Sequence, residues 1–447
     1  MTELAAASAK SVSPKKGVLL IPLVGATYLM VSGGPFGLED LVAQAGYART
    51  VAILVVTPLI WSLPVAMAVG ELASTYPEEG GYYAWVRRAM GPFWGVQEAW
   101  WSIAASFFDL AIYPTLFTRY LAQLWAPAGT PVIAVVVGVG LIAAATAVNM
   151  GGARATSDTS ALFAVALLSP FVALTIAAYM GPVESSAGAA PSGGSLVGGL
   201  AIAMWNYMGW DNASTIAAEV KDPGRVYPRA MLATVALVTV TYLIPVLAMA
   251  HTGLAPTSWT EGSWAIAGKL VSGPRLATAI AVAGMLSSGG MLLALVMSYS
   301  RLPLVLAKDG YLPAWLGKTT ERTGAPWVAL LICGVLYSAC LGLGFKRLVQ
   351  LDVIIYGASL ALEFVALVVL RIKEPDRERP FRVPGGMLGA VVVGVFPMVL
   401  IVGSMFAGGE DGESAGARWV VGIVTAVAAA GLLLYKTRGW RLAGAAA

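Results

Sequence analysis

The chain has 447 residues, 58% hydrophobic and only 12% charged, with a mean hydropathy of +0.77 and a formal net charge of +4. A soluble domain carries about 25% charged residues, so this composition excludes a soluble globular protein and points to a chain that crosses a membrane many times. One histidine, His251, and two cysteines, Cys333 and Cys340, in a single apolar run exclude a Ser-His-Asp triad, a Cys/His metal site and a disulfide framework; no metal, cofactor or nucleic-acid partner is expected.

Twelve apolar stretches follow one another at 17–43, 51–76, 94–123, 131–150, 157–180, 194–219, 230–252, 274–306, 326–344, 348–371, 387–408 and 417–435. Each is long enough to cross about 30 Å of hydrocarbon as a helix. Their apolar runs are continuous rather than alternating, which excludes a transmembrane barrel. The expected class is an all-α polytopic membrane protein with lipid as its surroundings. The first run lacks the small-residue end of a cleavable signal peptide. With the N-terminus inside, 21 of the 28 Lys and Arg residues fall on the cytoplasmic side, Arg87, Arg88, Arg371 and Lys373 among them. That bias predicts an even number of spans and two cytoplasmic termini.

The first span contains "VSGGPFGLED", Val31 to Asp40. Gly33, Gly34, Pro35 and Gly37 sustain a regular helix poorly, and freed backbone groups at membrane depth are tolerated only against protein or a water-filled cavity. Span 6 carries a second polar interruption, "WNYMGWDNAST", Trp205 to Thr215. Spans 1 and 6 open two successive groups of five helices, and five is odd, so the halves have opposite topology. Broken helices at matching positions of two inverted halves point to a transporter binding site. The expected organisation is a tail (1–16), a first repeat (17–185), a second repeat (194–371), a basic cytoplasmic loop (372–386), and two extra helices with a tail (387–447).

Acids inside the spans are costly and mark substrate or proton pathways by default. They are Glu39 and Asp40 after the first break, Glu71 in span 2, Glu98 and Asp109 in span 3, Asp211 in span 6 and Glu363 in span 10. Glu71 reads as structural, Glu98 as a wet residue near the span end, and Glu363 as either functional or a partner for a neighbouring helix. Almost no base lies at the same depth, so protons, a metal cation or a cationic substrate must neutralise the rest. A polyamine would match separated acids such as Glu39, Asp109, Asp211 and Glu363. Trp101, Phe107, Tyr113, Tyr207 and Trp210 could hold its methylenes and ammoniums, a cation–π contact being worth about 2 kcal/mol when desolvated. Between spans 2 and 3, Glu78 or Glu79 with Arg87 or Arg88 could form an inner gate or simply a wet loop.

The stretches "SGGPFGLED", "GELASTYPEEGGYYAWVRRAMGPFWGVQEAWW", "DLAIYPTLF", "WDNASTIAAEVKDPGRVYPRA" and "LEFVALVVLRIKEPDRERPFRVP" resemble the amino acid–polyamine–organocation transporter superfamily. Within it they are most similar to the polyamine and amino-acid uptake branch that includes plant polyamine uptake transporters. The resemblance implies a LeuT-like five-plus-five inverted repeat with helices 1 and 6 unwound, and secondary active uptake by alternating access. It places Ser32, Gly33, Gly34, Pro35, Phe36 and Gly37 on the helix 1 side of the substrate. Trp205, Asn206, Tyr207, Gly209 and Asp211 stand on the helix 6 side. Relatives often carry an acid at the Asp211 place and an aromatic near Trp205 or Tyr207 that closes over the substrate. Some relatives have a coupling lysine in helix 5; span 5 here has none.

The leading expectation is therefore a transporter of amino acids or polyamines, with cationic amines favoured by the charges. A proton carried on Asp109, Asp211 or Glu363 ranks first for coupling, sodium at Ser287 and Ser288 second, and uncoupled exchange third. The alternatives are a neutral amino acid permease or, from other classes, an intramembrane enzyme or a channel.

Overall fold

The computed structural model describes residues 19–78, 80–151, 160–181, 196–406 and 414–445. Glu79, Lys10, Lys15, Lys16, Arg154 and most of the glycine-rich loop after span 5 lie outside them. In chain order the described residues form α1 (Leu20–Val31), α2 (Glu39–Thr57), α3 (Leu63–Thr75), α4 (Tyr82–Met90), α5 (Pro92–Leu124), α6 (Pro131–Met150), α7 (Ser160–Met180) and α8 (Leu196–Asn206). There follow α9 (Pro223–Thr252), α10 (Ser263–Ser272), α11 (Pro274–Tyr299), α12 (Arg301–Lys308), α13 (Trp327–Ala339), α14 (Phe345–Lys373), α15 (Gly386–Phe406) and α16 (Ser414–Ala445). Proline starts many of them. Pro92, Pro131, Pro223 and Pro274 open α5, α6, α9 and α11, where the missing N–H would have had no helical partner.

Both expected breaks are present. The 12-residue α1 rises only about 18 Å, short of the ~30 Å hydrocarbon core; it stops at Val31, and helix resumes at Glu39 after an irregular turn. α8 stops at Asn206, and a tight 3-10 stretch, Asp211–Glu219, continues the chain. The loop expected between spans 1 and 2 is reduced to one residue. Gly46, at φ 71 and ψ 167 inside α2, turns the chain without the steric cost any side chain would add. A π-helical turn at Pro58–Ser62 then leads into α3.

Among the described residues six helical stretches are long and apolar enough to cross a membrane: Glu39–Thr75, Pro131–Met150, Pro223–Thr252, Pro274–Lys308, Phe345–Lys373 and Gly386–Gly403. Four apolar helices are shorter, Leu20–Val31, Val165–Met180, Trp327–Leu343 and Val421–Thr437. The 33-residue α5 is long enough but carries Glu98, Asp109 and Arg119. It is the central post, packed against α11 and α14 most of all. α6 and α15 form the rim, where Val132, Val136, Leu388 and Val399 are exposed, as lipid-facing side chains must be.

Two charge ties close the end of the bundle that holds α4. The first is buried. Glu71 on α3 receives Arg371 on α14 through two parallel bonds, Nε to Oε1 at 2.8 Å and Nη2 to Oε2 at 2.5 Å. The Val383 N–H donates to the same carboxylate at 2.7 Å and Arg379 stands 3.4 Å away. The basic loop expected at 372–386 is thus folded onto α3. The second tie is exposed. Arg88 on α4 binds Glu374 at 2.7 Å and Glu78 at 3.2 Å, and lies 5.0 Å over the Tyr76 ring. Arg87 binds Asp309 at 2.5 Å, and Tyr83 also donates to Asp309. The expected pairing Arg88–Glu78 is present, but the shorter contacts are those of Arg88 with Glu374 at the end of α14 and of Arg87 with Asp309 at the end of α12.

Hydrogen bonding from Arg88 holds the Glu374 carboxyl below the usual carboxylate range. A lowered folded-state value gives a contribution that is complete above the unfolded value and lost only as pH falls through the folded one. This clasp therefore contributes no pH dependence near neutrality.

The two ties should separate in a thermal-unfolding measurement on detergent-purified protein. Glu71→Ala leaves Arg371 buried without its partner and should cost about 3–5 kcal/mol. Arg88→Ala removes a solvent-screened pair and should cost at most about 1 kcal/mol. Equal melting shifts for the two would contradict the distinction.

Candidate functional site

The two breaks meet. Gly209, in the second break, has φ +90, and a Cβ there would stand 2.8 Å from the Met30 carbonyl oxygen at the end of α1. Only glycine permits both that conformation and that approach. The freed backbone of each break is satisfied by side chains from elsewhere. Trp264 donates to the Pro35 carbonyl at 2.8 Å, and Ser287 on α11 to the Gly33 carbonyl at 2.5 Å. In the second break Tyr242 on α9 donates to the Asn206 carbonyl at 2.8 Å, and Trp61 and Trp210 both donate to the Tyr207 carbonyl, at 3.0 and 2.8 Å.

Between the breaks lies a cavity of about 30 Å³. Its wall takes Ser32, Gly33 and Phe36 from the first break, Asp109 and Tyr113 from α5, and Trp205, Asn206 and Gly209 from α8 and the second break. α11 adds Ser287, Ser288, Met291 and Tyr299, and α14 adds Asp352 and Tyr356. At the ~10–15 Å³ of such space that one water needs, this is room for about two waters, so an amine substrate enters only when the walls move. Asp109 accepts from Tyr113 at 2.9 Å and from the Trp205 indole at 3.4 Å. Trp205 stands edge-on to Phe345, with centroids 5.5 Å apart, and covers the cavity under the Gly37 turn, where a Cβ would meet its ring at 2.8 Å. Tyr356 joins the cavity to Asp211: its hydroxyl donates to that carboxylate at 2.5 Å and accepts from the Gly209 N–H at 3.3 Å.

Several residues expected at the site stand behind the wall rather than in it. The Glu39 carboxylate accepts from Tyr120, from the Gly37 N–H at 2.6 Å and from the Gly262 N–H at 3.2 Å. It ties the first break to the segment before α10, and its three protein donors leave it no role in the wall. Tyr207 points away and donates to the Leu54 carbonyl at 3.1 Å, while Trp210 turns back on its own break. Gly34, Pro35 and Gly37 shape the turn without lining the cavity, and Asp211 is one hydrogen bond behind it. Trp101 and Phe107 do not reach the wall. Ser288 lines the cavity but donates to the Gly284 carbonyl at 2.8 Å within its own helix.

Two findings were not foreseen. Asp352 lines the cavity opposite Asp109, 1% exposed, with Oδ1 lacking any hydrogen-bond donor; the signal was an acid four residues before Tyr356 in an apolar run. Glu98, expected to be wet, is fully buried, because α4 folds back beneath the start of α5. Among the described residues Glu39, Asp40, Glu71, Glu98, Asp109, Asp211, Asp352 and Glu363 are buried acids, whereas Arg371 is the one buried base, already committed to Glu71. The expected surplus of negative charge is therefore real, and larger than the sequence reading counted.

Residues 24–433 match a family model described as amino acid permease. The chain is 34% identical over 403 residues to the polyamine transporter RMV1 of Arabidopsis thaliana, covering 89% of this chain and 82% of that one. It is 35% identical over 396 residues to the polyamine transporter PUT1 of Oryza sativa subsp. japonica, covering 87% and 73%. A more distant relative, the uncharacterized transporter Rv1999c of Mycobacterium tuberculosis, is 25% identical over 310 residues, covering 68% of this chain and 69% of that one. With an all-helical fold, long apolar helices and two helix breaks around a buried cavity, the chain belongs to the amino acid permease family, and it is a multi-pass membrane transporter rather than an enzyme.

Proposed function

We propose that this transporter takes up polyamines or related cationic amines by alternating access. The observation that carries this reading is the pair Asp109 and Asp352, lining one cavity while the one buried base among the described residues, Arg371, is committed to Glu71. A dication neutralises two separated carboxylates; a zwitterionic amino acid brings a carboxylate of its own into a negative site. The wall is also rich in aromatic and sulfur surface, Phe36, Tyr113, Trp205, Tyr299 and Met291, suited to methylene linkers and to cation–π contact. A neutral amino acid would need free N–H groups at the first break, and the Gly34 N–H is already bonded to Ser32 Oγ at 3.2 Å. Two relatives named as polyamine transporters support the same choice.

The architecture we infer is twelve spans in a five-plus-five inverted repeat (17–185 and 194–371), with two extra helices, in the cell membrane. The charge bias of the loops supports both termini in the cytoplasm. The binding set is Ser32, Gly33, Phe36, Asp109, Tyr113, Trp205, Asn206 and Gly209, with Asp352 and Tyr356 added and Asp211 behind. A proton is the preferred coupling ion, because Asp109 and Asp352 on the cavity wall and Asp211 one hydrogen bond behind it are carboxyls able to carry one.

Asp109→Asn and Asp352→Asn should each lower spermidine uptake into proteoliposomes by about tenfold or more, the effect of losing ~1.4 kcal/mol of attraction. Excess putrescine should compete with labelled spermidine and leucine should not. Full uptake by both variants, or competition by leucine alone, would overturn the assignment. Replacing sodium by potassium should leave wild-type uptake unchanged, and uptake that requires sodium would reverse the order of coupling ions.

A further inference from the structure

α5 and α14 pack against each other and carry acids at the same interval. Glu98 and Asp109 are eleven residues apart on α5, and Asp352 and Glu363 are eleven apart on α14. Eleven residues make three turns and about 16 Å of rise, so on each helix the two acids share a face. Asp109 and Asp352 meet at the cavity. Glu98 and Glu363 interact electrostatically with each other and with Asp211. The acids thus form two storeys, and the cavity wall ends above the lower one, at Tyr356 and Asn212.

The lower storey is sealed and unsatisfied. Glu98, Glu363 and Tyr82 are at most 2% exposed. Glu98 Oε1 has only the Ser102 hydroxyl, at 3.4 Å. Glu98 Oε2, both oxygens of Glu363 and the Tyr82 hydroxyl have no hydrogen-bond partner. The groups that face the pair are Asp211 from the second break, Tyr82 from α4, Ser102 from α5 and Tyr356 from α14. None of these is a base. Arg371, eight residues beyond Glu363, is taken by Glu71, and Arg301 donates to the Thr215 carbonyl at 3.2 Å. Two ionised carboxylates at a packed seam repel each other and lose hydration. A proton taken up by either carboxyl removes one of the two charges and the repulsion with it, and unlike an ammonium it needs no space.

We propose that Glu98 and Glu363 form a proton-binding pair that locks α5 to α14 beneath the cavity, so that this seam closes with a proton bound and opens on its loss. Opening hydrates both carboxyls, breaks the O–H bond and passes the proton to water on the side to which the seam opens. Tyr356, on the cavity wall and bonded to Asp211, links the pair electrostatically to the occupied or empty state of the cavity. The proposal rests on the transporter reading for its purpose, but its test needs no substrate.

The experiment is pulsed electron–electron spin resonance on full-length protein with Cys333 and Cys340 replaced by serine. Spin labels go at Trp94→Cys and Ile372→Cys, two exposed positions (40% and 63%) at the same end of α5 and α14 as the pair. The short-distance population should dominate at pH 5.5 and give way to a longer distance by pH 8, by up to about tenfold in ratio per pH unit for a one-proton step. Glu98→Gln and Glu363→Gln each remove one of the two charges permanently and should hold the short distance at both pH values. A wild-type distance that ignores pH, or variants that keep the wild-type pH profile, would overturn the proposal. If neither variant folds, the wild-type profile alone decides. Failure of spermidine uptake in the wild type would instead count against the substrate assignment and leave this measurement intact.

Discussion

Negative charge buried without a matching base is the constraint around which this molecule is arranged. Eight acids lie inside the described fold and one base joins them. In a medium that solvates ions poorly, each acid must find hydrogen-bond donors, a base, or a mobile cation. The distribution of those three solutions sorts the acids by role. Glu71 has Arg371, the Val383 N–H and the nearby Arg379, and anchors the loop after α14. Glu39 has a phenol and two backbone N–H groups, and joins the first break to the cover above it. Asp109 and Asp211 have one or two donors each. Asp352, Glu98 and Glu363 keep bare oxygens, which leaves a mobile cation as the remaining way to neutralise them.

The same constraint accounts for the two breaks. An unwound helix in an apolar interior is unfavourable unless its backbone groups are claimed. Here indoles and hydroxyls from the π-helical turn before α3, from α9, α10 and α11, and from Trp210 of the second break itself claim them. That frees the chain at Gly33 and Gly209 to come close to side chains and backbone that a regular helix would hold off. The result is a cavity with a polar floor and aromatic walls at the junction of α1, α5, α8, α11 and α14. Its volume is too small for a polyamine, so admitting one requires the walls to move.

Much of this was legible in the residues because its causes are local. Gly-Gly-Pro-Phe-Gly announces a break through backbone chemistry alone, and acids inside apolar runs announce themselves by cost. What stayed hidden depends on partners distant in the chain. The donors that satisfy Glu39 come from Tyr120 and Gly262, so its apparent freedom was misleading. Glu98 looked wet because α4 covers it only after the chain doubles back. The arginine that neutralises Glu71 is 300 residues away. Tyr207 and Trp210 could not be aimed from sequence, because side-chain direction follows periodicity only where a helix is regular, and both sit in the break. Asp352 was passed over for a similar reason: one acid near a span end points to a site only once the register of α14 brings it round to the side of Asp109.

The central claim is that the cavity is built for positive charge. Its most direct test is the thermal stability of the purified protein against matched ligands: putrescine and spermidine on one side, leucine and alanine on the other, at equal concentration, ionic strength and pH. A ligand that binds the folded state alone stabilises it by RT ln(1 + [L]/Kd), about 2.7 kcal/mol at one hundred times Kd. The account predicts a saturable rise in melting temperature with the amines and none with the neutral amino acids. A rise with leucine or alanine and none with either amine would contradict it.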